Sequence, residues 1–231
     1  APGGSCTFQR SLRITAVCLL QHPLAIRTQR VRHSLSPGPP PLRDATWPRG
    51  RPGLTPKQQQ EVRNTNILAD FAIQCLNVAA TSNAIAASEF PEDLGRAPKG
   101  CPASLWQDAN MRRLEAQGFT RGAIYQSDWA DVPYRKPTGL ITNADELVAD
   151  PLFFQGWPEF DGAGRYTGPL RAQPPATVTL IGKDATGAFV TELTAAYPPA
   201  MCMRLAGRLV HSWVKKVSRS GQADTLQRED Q

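Results

Sequence analysis

The longest stretch of helical periodicity in the chain lies between residues 55 and 82. Its first residues, Thr55 to Gln58, combine a capping side chain, a proline suited to the first helical position and a glutamine that completes a capping box. Behind them, apolar residues recur on one broad face at Val62, Leu68, Phe71, Ala72, Cys75, Leu76 and Ala79. This pattern predicts one amphipathic helix from residue 56 to about residue 82.

Shorter apolar runs of strand type follow this helix. They cover residues 84–90, 122–127 and 138–143, and two more runs, 178–182 and 188–192, read as a later hairpin after a loop over 151–176. One short, proline-containing arm joins the second run to the third. We therefore expect these two runs to pair as an antiparallel hairpin.

Local signals also place three further helices. Pro102 predicts the start of a second helix that carries Leu105, Trp106, Ala109 and Leu114 and ends at Gly118. Asn143 with Glu146 predicts a cap for a short helix through Val148. Pro198-Pro199 predicts the start of the last helix. The order of elements predicts an α/β layer with a partly antiparallel sheet.

Charge and composition divide the chain. Residues 1–56 hold eight arginines, one acid and nine prolines, whereas the other 175 residues hold 18 basic and 19 acidic side chains. We therefore predict a disordered Arg/Pro-rich tail over residues 1–54, an α/β domain over 55–217 and a flexible C-terminal tail over 218–231. The net charge of +6 belongs to the first tail, so the basic isoelectric point is no sign that the folded part grips phosphates.

Several classes of protein are not expected. No apolar run approaches the roughly 18 residues of a membrane span, so we expect no membrane protein. Five scattered cysteines without a CxxC pair, beside three histidines, favour neither a metal site nor a disulfide scaffold, and a reducing, intracellular compartment is the default. The arginine- and serine-rich start also resembles an organelle transit peptide, so nucleus and organelle both stay open.

Two polar clusters carry the candidate chemistry. Glu89 ends the first strand and is followed by Glu92 and Asp93, and an acid at the carboxyl end of a strand is well placed for ligand binding. We expect Glu92 and Asp93 to be solvated loop acids. Arg135 and Lys136, which lead into a strand, fit a phosphate clamp, although an exposed hairpin arm explains them equally well. Cys202, among apolar helix positions, is expected in the core.

Three blocks in this order resemble the second half of DNA (cytosine-5) methyltransferases, in a divergent form found in protists and algae. Ala87-Ser88-Glu89-Phe90-Pro91 is similar to the Glu-Asn-Val strand end of that family, and Val132-Pro133-Tyr134-Arg135-Lys136 is similar to its Val-Pro-Gln-x-Arg-x-Arg stretch. Tyr197-Pro198-Pro199 is similar to the Val-Pro-Pro helix start that walls the S-adenosylmethionine pocket.

The resemblance implies a fold and a site. The fold would be a partial Rossmann-like sheet, mixed parallel and antiparallel, holding the last three strands of a seven-stranded sheet with its terminal pair as an antiparallel hairpin. Glu89 would be the acid, on a central or near-central strand and lining a concave surface that Arg135 and Lys136 also face. Tyr197, Pro198 and Pro199 would border the cofactor. An unpaired sheet edge would be left for a protein partner.

The same comparison shows what is missing. The chain has no glycine-rich cofactor loop after a first strand, and none of its five cysteines follows a proline. The attack on cytosine needs a thiolate, which the acid only assists. The sequence therefore predicts a truncated or degenerate methyltransferase-like domain that is not competent alone and binds S-adenosylmethionine weakly or not at all. The alternative is a non-enzymatic, nucleic-acid-associated interaction module whose Arg-rich tail binds DNA.

Overall fold

A computed structural model of the protein describes residues 42–43, 46–92, 104–170, 176–178, 180 and 196–229, with side chains up to residue 219. The helices are α1 (Pro56–Thr81), α2 (Ala109–Arg112), α3 (Gln126–Trp129), α4 (Asp145–Val148) and α5 (Pro199–Glu229). The strands are β1 (Ala87–Pro91), β2 (Thr120–Tyr125), β3 (Pro137–Thr142) and β4 (Phe154–Gln155). The fold is α/β. No helix in these ranges is long and apolar enough to cross a bilayer.

The four strands form one sheet in the order β1-β3-β2-β4, and every pair in it is antiparallel. The predicted β2–β3 hairpin is confirmed. The expectation of parallel pairs is not met within the described strands, because β3 lies between β1 and β2 and pairs with both. Leu140 of β3 faces Glu89 on one side and Gly122 on the other, so these three residues share one face of the sheet.

Helix α1 begins as the sequence predicts. The Thr55 hydroxyl accepts a hydrogen bond from the Gln58 amide, and the Gln58 side chain accepts one from the Thr55 amide at 2.9 Å. The expected burial of Phe71 is wrong, since this side chain is 48% exposed. At 100° per residue Phe71 lies far around the helix from Ile73 and Leu76, which pack against the sheet instead.

The second predicted helix is broken into three short pieces. A 3₁₀ turn over Leu105–Gln107, α2 and a second 3₁₀ turn over Arg113–Gln117 follow one another. The interruption lies at Asp108, whose carboxylate accepts a hydrogen bond from the Asn110 amide at 2.8 Å and so caps a new helix. Gly118 ends the segment with a left-handed φ of 85°, as predicted.

Asn143 does not cap α4. Its side chain accepts from the Ala86 amide at 2.7 Å and donates to the Ala84 carbonyl at 2.8 Å, so it fixes the chain entering β1. Helix α4 begins after Ala144 without a side-chain cap. The Ala144 amide instead donates to the Thr142 hydroxyl. The sequence signal was correct for the helix but wrong for its cap, because a long-range contact uses the asparagine.

The sheet separates two apolar clusters. One lies under α1 and includes Leu76, Trp106, Met111 and Ile141, and the other lies under α5 and includes Ile124, Leu140, Leu147, Met201 and Leu205. Helix α5 begins at Pro199, as predicted, and continues through Glu229, across the boundary at residue 217 that the sequence suggested. β4 lies within the predicted loop, and the predicted second hairpin, apart from residues 178 and 180, lies outside the described residues.

The described part of the N-terminal segment lies against α1. Arg43 donates to the Val62 carbonyl at 3.0 Å, and Arg49 forms an ion pair with Asp70 at 2.7 Å. Of the predicted disordered tail over residues 1–54, residues 1–41, 44 and 45 lie outside the described residues. The domain boundary at residue 54 therefore stays a prediction.

Candidate functional site

Glu89 is the third of five residues in β1 and points to the face of the sheet that α5 covers. The residue is 4% exposed, although a carboxylate is among the costliest groups to bury. Among the described strands β1 is an edge strand, because only β3 pairs with it there. The predicted central or near-central position is therefore not met within the described strands.

The three blocks of the resemblance meet at this carboxylate. The Tyr197 hydroxyl donates a hydrogen bond to Glu89 Oε2. Lys136 Nζ lies 5.3 Å from the centroid of the Tyr197 ring, and its charge acts on Glu89. These residues come from β1, the turn before β3 and the segment before α5, and they form what we call the Glu89–Lys136–Tyr197 cluster.

The electrostatics of the cluster follow from its burial. Burial raises the pKa of Glu89 to about 7, although the Tyr197 hydrogen bond and the Lys136 charge both lower it. Burial lowers the pKa of Lys136, and Glu89 partly offsets that effect. The pKa of Tyr197 is raised by burial and by the neighbouring Glu89, so its hydroxyl keeps its proton and acts as a donor. Glu89 is thus an acid that titrates near neutral pH.

Arg135 and Lys136 act on different titratable groups. Lys136 faces Glu89, as expected, whereas Arg135 acts electrostatically on Tyr125, whose partner in the sheet is Pro137. The Lys136 backbone has a φ of 25°, in the left-handed region that residues other than glycine rarely adopt. The two charges thus act on different groups, and the phosphate clamp expected from Arg135 and Lys136 stays a prediction.

A cavity of about 440 Å³ lies beside the cluster. Its lining contains Tyr197, Pro198 and Pro199, together with Tyr134, Asp131 and small or apolar residues. Tyr197 connects the cavity with the acid, because it lines the former and donates its hydroxyl to Glu89. The pocket is open to solvent, and its wall is mostly apolar with one carboxylate, Asp131.

Glu92 forms a second buried cluster on the opposite face of the sheet. Its carboxylate pairs with the Arg121 guanidinium, and the Tyr166 hydroxyl donates to its other oxygen at 2.7 Å. The expectation of a solvated loop acid is therefore wrong for Glu92, while Asp93 lies outside the described residues. Sequence reasoning missed Arg121, because the predicted strand began one residue after it. The sequence signal that could have identified Arg121 was a charged residue directly before the apolar run of the strand.

The described cysteines differ from expectation. Cys202 is exposed on the first turn of α5, not in the core, and it lies close enough to affect the pKa of Tyr197. Cys75 is half-buried in α1. In the described part of the chain no three His, Cys, Asp or Glu side chains are grouped so that they could hold a metal ion.

No family model, curated protein or solved structure matches the chain.

Proposed function

We propose that the chain is an S-adenosylmethionine-dependent DNA (cytosine-5) methyltransferase-like domain that does not transfer methyl groups by itself. The observation that carries this proposal is the Glu89–Lys136–Tyr197 cluster. Its three members were singled out from separate sequence blocks up to 108 residues apart, and they lie in contact. An acid, a basic substrate-binding residue and a cofactor wall that resemble those of one family thus occupy one corner of the fold.

The same proposal takes the sheet to be the end of a Rossmann-like methyltransferase sheet. β1 and β2 are each antiparallel to β3, so they run in the same direction although they are not paired with each other. The β2–β3 hairpin corresponds to the antiparallel terminal pair that the resemblance implies. The cavity beside Tyr197 would receive S-adenosylmethionine, which supplies the methyl group in this family.

The chain's own residues favour binding without catalysis. One oxygen of Glu89 already accepts a hydrogen bond from the Tyr197 hydroxyl. This hydroxyl therefore competes with a cytosine base for the carboxyl group. None of the five cysteines follows a proline, so the chain lacks the Pro-Cys nucleophile that attack on cytosine requires. The cavity presents a wall for a cofactor, but the sequence has no glycine-rich loop to complete it. We therefore expect weak cofactor binding and no methyl transfer.

The test measures cofactor binding and methyl transfer separately. The full chain is titrated with S-adenosylmethionine by calorimetry and incubated with cytosine-containing duplex DNA and labelled methyl donor. We expect weak binding that Tyr197→Phe changes, and no methyl incorporation above background. Tyr166→Phe is the matched control, because it removes the same kind of hydroxyl donor from Glu92 on the other face.

Two results would contradict this proposal. Binding that responds equally to both tyrosine variants, or no binding at all, would remove the cofactor assignment. Methyl incorporation would refute the inactive assignment, and Cys202→Ser would then show whether the exposed thiol beside Tyr197 is responsible.

The distribution of charge favours a second candidate function. Residues 1–56 carry a net charge of +7 and the remaining residues −1, which fits an interaction module that binds DNA phosphates through its N-terminal segment. This function needs neither Glu89 nor a cofactor. Removing charge from that segment therefore distinguishes it from the first proposal.

A further inference from the structure

Helix α5 has an apolar face that no described residue covers. Met203 is 71% and Val210 53% exposed, and Val214 and Val217 are also exposed. The spacings of seven, four and three residues place these side chains in one stripe. The stripe lies opposite Met201, Leu205 and Ser212, which pack onto the domain. From Met203 to Val217 it is roughly 21 Å long.

The charged side chains of α5 are directed away from this stripe and toward their own domain. Arg204 and Arg208 both bond to Asp150, at 2.7 Å and 3.0 Å. Lys215 pairs with Glu146, and Arg219 lies 4.0 Å from Asp145. The stripe itself is therefore uncharged. An uncharged apolar face complements another such face better than it complements an acidic protein or an anionic membrane.

Helix α1 is different in this respect. Its exposed Ile67, Phe71 and Val78 share their side of the helix with Arg63 and Asp70. A partner surface for α1 would have to accommodate both charges. Of these two long helices, α5 therefore has a long uncharged stripe and α1 does not.

Gly207 adds an observation that the monomer does not explain. It lies inside α5, where glycine costs roughly 1 kcal/mol relative to alanine. A Cβ at this position would meet no described atom within 4 Å, so packing within the chain does not require glycine there. A surface that approaches the helix closely from outside would require it.

We propose that the α5 stripe is the interface of a homodimer in which two copies of α5 pack antiparallel about a two-fold axis at Val210. In this register Met203 faces Val217 of the second copy. Val214 then faces Ala206, and Trp213 faces Gly207. Val214 and Trp213 thus each meet a small residue, Met203 meets an apolar one, and the self-complementary face is what a two-fold axis requires. A second copy supplies the close approach that Gly207 permits.

The first test places a charge on the proposed axis. Val210→Asp brings two like charges together in the interface, and we expect the dimer dissociation constant to rise by at least about 30-fold. Val78→Asp is the matched control, because Val78 is 56% exposed on α1, and it should leave the constant unchanged. Sedimentation equilibrium of the full chains measures both, and circular dichroism verifies that each variant keeps its helices.

The second test determines the orientation of the helices. Met203→Cys and Val217→Cys are prepared separately in a Cys202→Ser background, mixed and mildly oxidised. An antiparallel dimer links one variant to the other, whereas a parallel dimer links each variant to itself. A chain that is still monomeric at a concentration of about 100 µM overturns the proposal. So does dissociation by Val78→Asp, or preferential self-linking of each cysteine variant.

Discussion

Glu89 owes its unusual ionisation to its place in β1. The side chain lies beneath Tyr197 and beside Lys136, on the face covered by α5. The sequence identified the residue because an acid after an apolar run is a local signal. It could not predict the burial or the hydrogen bond from the Tyr197 hydroxyl, which lies 108 positions later in the chain.

The first prediction concerns the pH dependence of stability. The pKa of Glu89 is raised to about 7 in the folded chain from 4.5, so between these values the folded state holds a proton that the unfolded state releases. Stability should therefore fall as the pH rises from about 5 to 7, by on the order of 3 kcal/mol. Glu89→Gln should lack this decrease and exceed the parent at pH 8. Urea unfolding at each pH measures the effect.

Glu146→Gln is the control for that experiment. Lys215, through a hydrogen bond, holds the pKa of Glu146 below its usual range, so this substitution should reduce stability at neutral pH. The two glutamine variants should change stability at pH 8 in opposite directions. If Glu89→Gln also lost stability at pH 8, the folded chain would hold Glu89 preferentially as a carboxylate.

At the scale of elements, several predictions that rest on neighbouring residues agree with the structure. The capping box of α1, the turn at Gly118 and the proline start of α5 are each defined within a few positions. The break of the second predicted helix at Asp108 has a local cause, whereas other errors arise where distant residues decide. Asn143 binds the chain before β1, and β1 pairs with β3, which lies about 50 residues later along the chain.

The second prediction concerns the ion pair that joins these strands. Arg121 of β2 reaches Glu92 just after β1, and Gly139 of β3 leaves the space between them, since a Cβ there would lie 2.6 Å from the guanidinium. Glu92→Gln leaves Arg121 buried without its counter-charge and should cost about 3–5 kcal/mol of unfolding free energy. The double variant Glu92→Gln/Arg121→Met should regain most of this loss. Urea midpoints of the three chains measure the effect, and a double variant no more stable than the single one would contradict it.

At the scale of the whole molecule, the charge is divided between the N-terminal segment and the rest of the chain. Two arginines of that segment are already engaged by α1, since Arg43 bonds to a helix carbonyl and Arg49 to Asp70. Residues 1–41 contain five further arginines and no acid. The sequence alone predicted eight equivalent arginines, because it could not show which of them the helix would bind.

The last prediction follows from this division. If the N-terminal segment binds DNA, Arg10, Arg13, Arg27, Arg30 and Arg32 should supply the contacts, and binding should be independent of sequence. Five phosphate contacts give a slope of log affinity against log salt of about −4.5. Replacing all five by glutamine in the full chain should remove most of that slope and most of the affinity. Arg43→Gln/Arg49→Gln should change either quantity little, because α1 already binds both side chains. Fluorescence anisotropy with two unrelated duplexes, measured across a series of salt concentrations, gives both quantities. Affinity that survives the five substitutions, or that differs between the duplexes, would place DNA binding in the folded domain and not in the segment before it.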